Sequence, residues 1–266
     1  MTKKFEFTGE TKTIQLAFRK VTLHRIRAVV DFGLIKTGDI GGWLEKEENL
    51  SQEGEAWVCG DAKVCGDAEV YGNAKVYGNA KVYGNAKVCD NAEVYGNAKV
   101  CGSAEVWGDA KVCDNAEVYG NAKVCGSAEV WGDAKVWGDA KVWGNAEVYG
   151  NAKVCDNALV CGNAKVCGSA EVWGDAKVCG DAEVFSASHV MVIGAIGSRN
   201  DFTTFYRGKN KQIMVRCGCF NDTIDRFIEK VKSTHGVNKH ALVYQKAAEL
   251  AKIQIDLACE PQESEE

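Results

Sequence analysis

The sequence predicts a mainly β protein built around one long parallel β-helix. Three observations carry this. Residues 54–185 divide into 22 consecutive six-residue units without an insertion. The residues within each unit alternate with the period of a strand. The chain has 29 glycines but a single proline, which points to regular tight corners rather than flexible linkers.

The unit is Gly-(Asn/Asp/Ser)-Ala-(Lys/Glu)-Val-(Cys/Tyr/Trp), as in Gly72–Tyr77 and Gly132–Trp137. Self-similarity at a fixed short period decides architecture before other features do. Ala and Val fall on one side of the chain and are expected to stack into a core. Gly and its polar follower are expected at corners, where positive φ is easy for Gly and tolerable for Asn or Asp. Asp90, Asp114 and Asp156 replace the Gly and keep that tolerance. Three strands and three corners close a coil of 18 residues, so the units fill about seven coils, roughly 35 Å long at the usual strand spacing.

This pattern resembles the hexapeptide-repeat, left-handed β-helix proteins, in which an aliphatic residue is followed four positions later by a small one. Here that is Val70 then Ala74, and Val76 then Ala80. The left hand is implied by the resemblance and not by periodicity; ordinary parallel crossovers are right-handed, and a right-handed helix, as in bactofilin-type filaments, is the alternative. The lead-in Gly38–Trp43, with Asn49–Ser51 and Glu53–Val58, is similar to that of hexapeptide-repeat proteins common in phages and prophages, many of them labelled acyltransferases.

Residues 18 apart should lie one above another. Lys75, Glu93, Lys111 and Glu129 then form a column of alternating charge, each pair worth about 0.2–1 kcal/mol. Lys63, Lys81 and Lys99 form a row of like charge, read as a solvated face. The sixth position holds ten Cys, six Tyr, five Trp and one Phe. So many outward rings, with Trp131, Trp137 and Trp143 on successive faces, suggest self-association. The resemblance implies a homo-oligomer, a trimer above all. Rings lying flat over neighbouring coils is the alternative.

Residues 89–112 and 113–136 are identical. The block is four units long, so each copy is rotated by one face. A catalytic site needs fixed groups in one place, and an array that grows by rotated blocks reads as scaffold. Residues 1–53 read as an N-terminal β cap, with strands at 11–17 and 21–31. The β-helix is assigned to 54–196, with Val190–Ile196 closing it. Residues 197–258 read as a hairpin (202–207 and 212–217) and two helices, 222–235 ended by Gly236 and a second from Lys239 capped by Asn238. Residues 259–266 read as a disordered acidic tail.

Residues 54–185 hold 12 Lys against 19 Asp and Glu, a net charge of −7, whereas residues 186–252 hold 11 Lys and Arg against 5 Asp and Glu, a net charge of +6. An acidic helix repels phosphates, so duplex nucleic acid is not an expected partner. No secretory or membrane-spanning segment is evident, which places the chain in the cytoplasm, the host's if it is phage-encoded. In that compartment the 13 cysteines are read as unpaired, Cys161 and Cys179 included although they should stack. Cys217-Gly218-Cys219 lacks metal-ligand spacing, and neither metal nor cofactor is expected.

Three readings of function follow. The resemblance implies an acyl-CoA-dependent acyltransferase with a histidine base, but none of the four histidines lies in the repeats, which leaves His189 at the helix exit. The residues themselves favour a non-enzymatic oligomeric binding protein. Ser198, Arg199, Asn200, Asp201, Thr203, Thr204, Tyr206, Arg207 and Arg216 combine guanidinium forks, hydroxyls and a ring in the basic module. That set suits an anionic, nucleotide-like small molecule or a host protein. A purely structural self-assembling scaffold is the third reading. The same basic hairpin could instead dock on the acidic helix.

Overall fold

The computed structural model describes residues 3–16 and 19–258. Ala17 and the acidic tail lie outside the described residues. The chain divides into two compact units, Met1–Gly138 and Asp139–Glu266. The fold is mainly β: a parallel β-solenoid of about eight turns, followed by a small antiparallel sheet and two short helices. The turn count exceeds the seven expected because cap residues add strand. Trp43 and Leu44 pair in parallel with Lys63 and Val64, and Leu50 bridges to Val70.

In the first unit, β1 (Phe5–Leu16) and β2 (Arg19–Ala28) form an antiparallel pair, and β3 (Ile40–Leu44) pairs with β2 before leading into the coils. The cap strands thus begin earlier than sequence pattern indicated, and Asp31 lies in a loop, where its carboxylate accepts from the Thr37 N–H and hydroxyl.

Within each repeat the strand is the Lys/Glu–Val pair, with Trp57 and Leu159 standing in for the charged residue in two of them, and the Ala and Val side chains are buried throughout. Neighbouring coils are in register at a separation of 18, as in Lys75–Glu93–Lys111–Glu129 and Lys63–Lys81–Lys99. The duplicated block is rotated as expected: Glu93 pairs with Lys75 and Lys111, whereas its copy Glu117 lies in a different sheet between Lys99 and Lys135.

Corners have positive φ, about 70° at Gly102 and 57° at Asp114. A Cβ at Gly102 would meet the backbone of Gly120 at 2.9 Å. The three corner aspartates solve this differently. Each carboxylate accepts the N–H of the corner residue one coil on: Asp90 from Gly108, Asp114 from Gly132, Asp156 from Gly174. Beside the corners run amide ladders. Asn79 donates to Asn97, Asn97 to Asn115, and Asn115 to Asp133. A carboxylate only accepts, so aspartate ends the ladder. Asn145, Asn163 and Asp181 repeat the pattern in the second unit.

The sixth-position rings follow the bland alternative in large part. Tyr77 stacks on Tyr95, and Tyr119 on Trp137, with planes nearly parallel. Trp143 and Trp173 stand out, at 47% and 62% exposed. One cysteine expectation fails: Cys161 and Cys179 are disulfide-bonded, because in-register stacking brings their Cα atoms to 4.6 Å.

Outside the paired strand residues, most hydrogen bonds between coils run from an N–H to a carbonyl of the next coil, as in Lys75 N–H to Ala92 O and Lys81 N–H to Ala98 O, while parallel strand pairing returns the Val N–H to the coil before. The first coil therefore presents carbonyls with no preceding coil to donate to them. The cap supplies the donors. Trp43 and Glu45 N–H bond Ala62 and Val64 O, Ser51 N–H bonds Val70 O, Asn49 Nδ2 bonds Gly66 and Ala68 O, and Lys4 Nζ reaches Ala56 O at 2.9 Å. Burial of that ammonium pushes its pKa down to about 8. Replacing Asn49 by Leu, which strips two buried carbonyls of their donor, is expected to cost about 1–3 kcal/mol in a urea melt. Asp114→Gly should be close to neutral there, and Asp114→Ala, which keeps a side chain at positive φ without its acceptor, should cost about 1–3 kcal/mol.

Candidate functional site

The second unit ends in an antiparallel sheet of β4 (Val190–Ile196), β5 (Asp201–Arg207), β6 (Ile213–Cys217) and β7 (Phe220–Thr223), in that order. Val190–Ile196 is the edge strand of this sheet. β7 had no sequence signal, being four residues directly continuous with a helix. The helices α1 (Ile224–His235) and α2 (Lys239–Gln254) start at Thr223 and Asn238, whose side chains accept first-turn N–H groups. Their apolar faces cover one side of the sheet, around Phe205, Val215, Phe227, Val231 and Tyr244.

The other side of the sheet docks on the last coil. Coil N–H groups there have no following coil to receive them, and the module provides acceptors. Thr204 Oγ1 accepts from Lys177 N–H at 2.9 Å, and His189 Nδ1 accepts from Phe185 N–H at 3.3 Å. Tyr206 Oη donates to Cys179 O at 3.0 Å, and Lys209 N–H bonds Asp181 O. Arg207, 1% exposed, pairs with Glu183 at 3.3 Å and lies over the Phe185 ring.

The nine candidate anion-binding residues are consequently not one site. Thr204, Tyr206 and Arg207 are spent on docking. Thr203 is buried on the helix side, donating its hydroxyl to Cys217 Sγ at 3.4 Å. Arg216, paired in register with Thr204, lies half-buried on the docking side. Asp201 opens β5, where its carboxylate accepts the Phe202 N–H. Ser198, Arg199 and Asn200 remain exposed in the turn between β4 and β5, which Asn200 closes at φ 49°. Two residues from other elements complete this corner. The Tyr244 ring fills the space a side chain at Gly197 would need, the Ser198 hydroxyl bonds the Tyr244 phenol, and the Arg199 guanidinium lies over Gly218. Burial and the neighbouring Cys217 raise the Tyr244 pKa. Sequence reasoning missed Gly218 and Tyr244 because they come from separate elements with no shared spacing.

His189 is fully buried, its ring edge-on to Phe185. It is an acceptor for an orphan N–H and does not face solvent. Two grooves are largely apolar. One, of about 210 Å³, lies beside Trp173, Val190, Val192 and Phe202; the other, of about 200 Å³, lies under Phe32–Ile35 beside Trp57 and Tyr77. Among the described residues no cluster of His, Cys, Asp and Glu could hold a metal ion, and no helix is long and apolar enough to cross a membrane. Comparison with protein-family models finds no match, and comparison with curated proteins finds none either.

Burial, and secondarily the Arg207 charge, lowers the His189 pKa below its ordinary value. The unfolded chain then binds the proton more readily, so stability is complete above the ordinary imidazole pKa of about 6.5 and falls as pH drops below it. A melting temperature that declines between pH 7 and 5, and declines less in His189→Asn, is the expected outcome.

Proposed function

We propose that this is a non-enzymatic, self-associating binding protein, of the kind phages and prophages encode, with the solenoid as scaffold and the C-terminal module as recognition element. The observation that carries it is the division of labour in the module. Docking consumes Thr204, Tyr206 and Arg207 yet leaves the Ser198–Asn200 turn outside, with the Arg199 guanidinium over a glycine and its neighbours fixed by Tyr244. A fork held at a rigid turn beside hydroxyl groups suits a phosphate or carboxylate, and the +6 module draws anions toward it. Self-association is supported by the exposed Trp143 and Trp173. A trimer in the host cytoplasm is the expected form.

The acyltransferase reading has less support, since the one histidine at the helix exit is buried and already bonded. Native mass spectrometry of full-length protein purified from its own cells tests the proposal, reporting subunit number and retained small molecules together. The expected result is an oligomer carrying an anionic ligand that Arg199→Ala loses while keeping its subunit number. A bare monomer, or a ligand retained equally by Arg199→Ala, would overturn it.

A further inference from the structure

Cys217-Gly218-Cys219 lies outside the cysteine ladder of the repeats and has a different setting. In the ladder, burial keeps thiols protonated, with Cys65 and Cys155 pushed up to about 11. Cys217 and Cys219 instead belong to the tight turn between β6 and β7, where Cys217 pairs with Phe220 and Gly218 has φ 58°. Cys219 is exposed and Cys217 half-buried. Cys217 Sγ receives the Thr203 hydroxyl at 3.4 Å and lies 3.9 Å from Tyr244 Oη. The Arg199 guanidinium leans over Gly218, between the two cysteines in sequence; a Cβ on that glycine would stand 2.8 Å from Arg199 Cζ. Two hydroxyls and a cation thus gather at one partly exposed dithiol, the kind of setting in which exchange-active cysteines are found.

We propose that Cys217 and Cys219 form a dithiol site for exchange with low-molecular-weight disulfides, Cys219 supplying the entry sulfur and Cys217 the resolving one. The Cys219 thiolate attacks one sulfur of a small disulfide. A mixed disulfide forms as the small molecule's S–S bond breaks, and the departing thiolate takes up the proton Cys219 released. The Cys217 thiolate then attacks Cys219 Sγ, expelling the second small thiolate, which takes up the proton from Cys217. Two protein thiols are oxidised by two electrons, and one small disulfide is reduced to two thiols. In the reverse direction an incoming thiolate attacks the exposed Cys219 Sγ and expels Cys217 toward the Thr203 and Tyr244 hydroxyls. A stabilised leaving group makes this disulfide easier to reduce than the buried Cys161–Cys179 bond. The proposal does not depend on the anion-binding reading.

The test equilibrates full-length protein without oxygen in buffers of reduced and oxidised glutathione, alkylates free thiols, and reads the tryptic peptide 217–226 by mass. The wild type should pass from doubly alkylated to internally bridged. Cys217→Ser should retain one glutathione on Cys219, and Cys219→Ser should leave Cys217 unmodified. Tyr244→Phe, which keeps the ring against Gly197, should move the midpoint several-fold toward the bridged form, since it removes a donor from the expelled thiolate. Glutathione that persists on wild-type Cys219, a peptide that stays reduced in the wild type and in Cys217→Ser alike, or equal modification of Cys217 in Cys219→Ser would overturn the proposal.

Discussion

The direction of the hydrogen bonds between coils is the constraint on which the rest depends. Within each unit the Lys/Glu and sixth-position N–H groups go to the next coil and the Ala and Val carbonyls to the one before, while the Val N–H pairs backward. In mid-array this satisfies the backbone at no cost in side chains, which is why alanine and valine suffice as a core. At the ends it leaves two different debts, since buried backbone groups without partners cost stability. The first coil needs donors and finds them in Lys4, Asn49 and the N–H groups of Trp43, Glu45 and Ser51. The last coil needs acceptors and finds them in Thr204 Oγ1 and His189 Nδ1. The two caps therefore differ in chemistry as well as in sequence.

That asymmetry explains several residues that would otherwise look functional. A buried lysine, a buried histidine and a buried arginine at the ends of a scaffold are what pattern reading would nominate as chemistry. Lys4 caps carbonyls, His189 accepts an amide, and Arg207 pairs with Glu183 while lying over the Phe185 ring. The Ser198–Asn200 turn is the part of the module that docking does not use.

The repeat was legible because each position has one role. Period fixed the strands, positive φ fixed Gly and the three aspartates, and the 18-residue coil fixed which charges meet. The C-terminal helices were legible through Asn238 and Gly236. The module's sheet was only half legible: alternation within β5 showed a strand but not which side faced the coil. Side choice decides each residue's contacts, because it sends Thr204 and Tyr206 to docking and Thr203 to the helix side. The Cys161–Cys179 bridge was visible as a stacked pair, and an argument from compartment set it aside where Cα separation favoured it.

The amide ladders carry a consequence for how the molecule ages. In the run from Asn79 through Asn97 and Asn115 to Asp133, each amide receives from one neighbour and passes a hydrogen to the next, and the carboxylate ends the relay. Hydrolysis of one side-chain amide turns a relay into a terminus. At Asn97 the new carboxylate would still accept from Asn79 but would confront the Asn115 oxygen with no hydrogen to offer. Damage of this kind divides a ladder without touching the Ala–Val core, so an old molecule would keep its fold while its surface order broke into shorter runs.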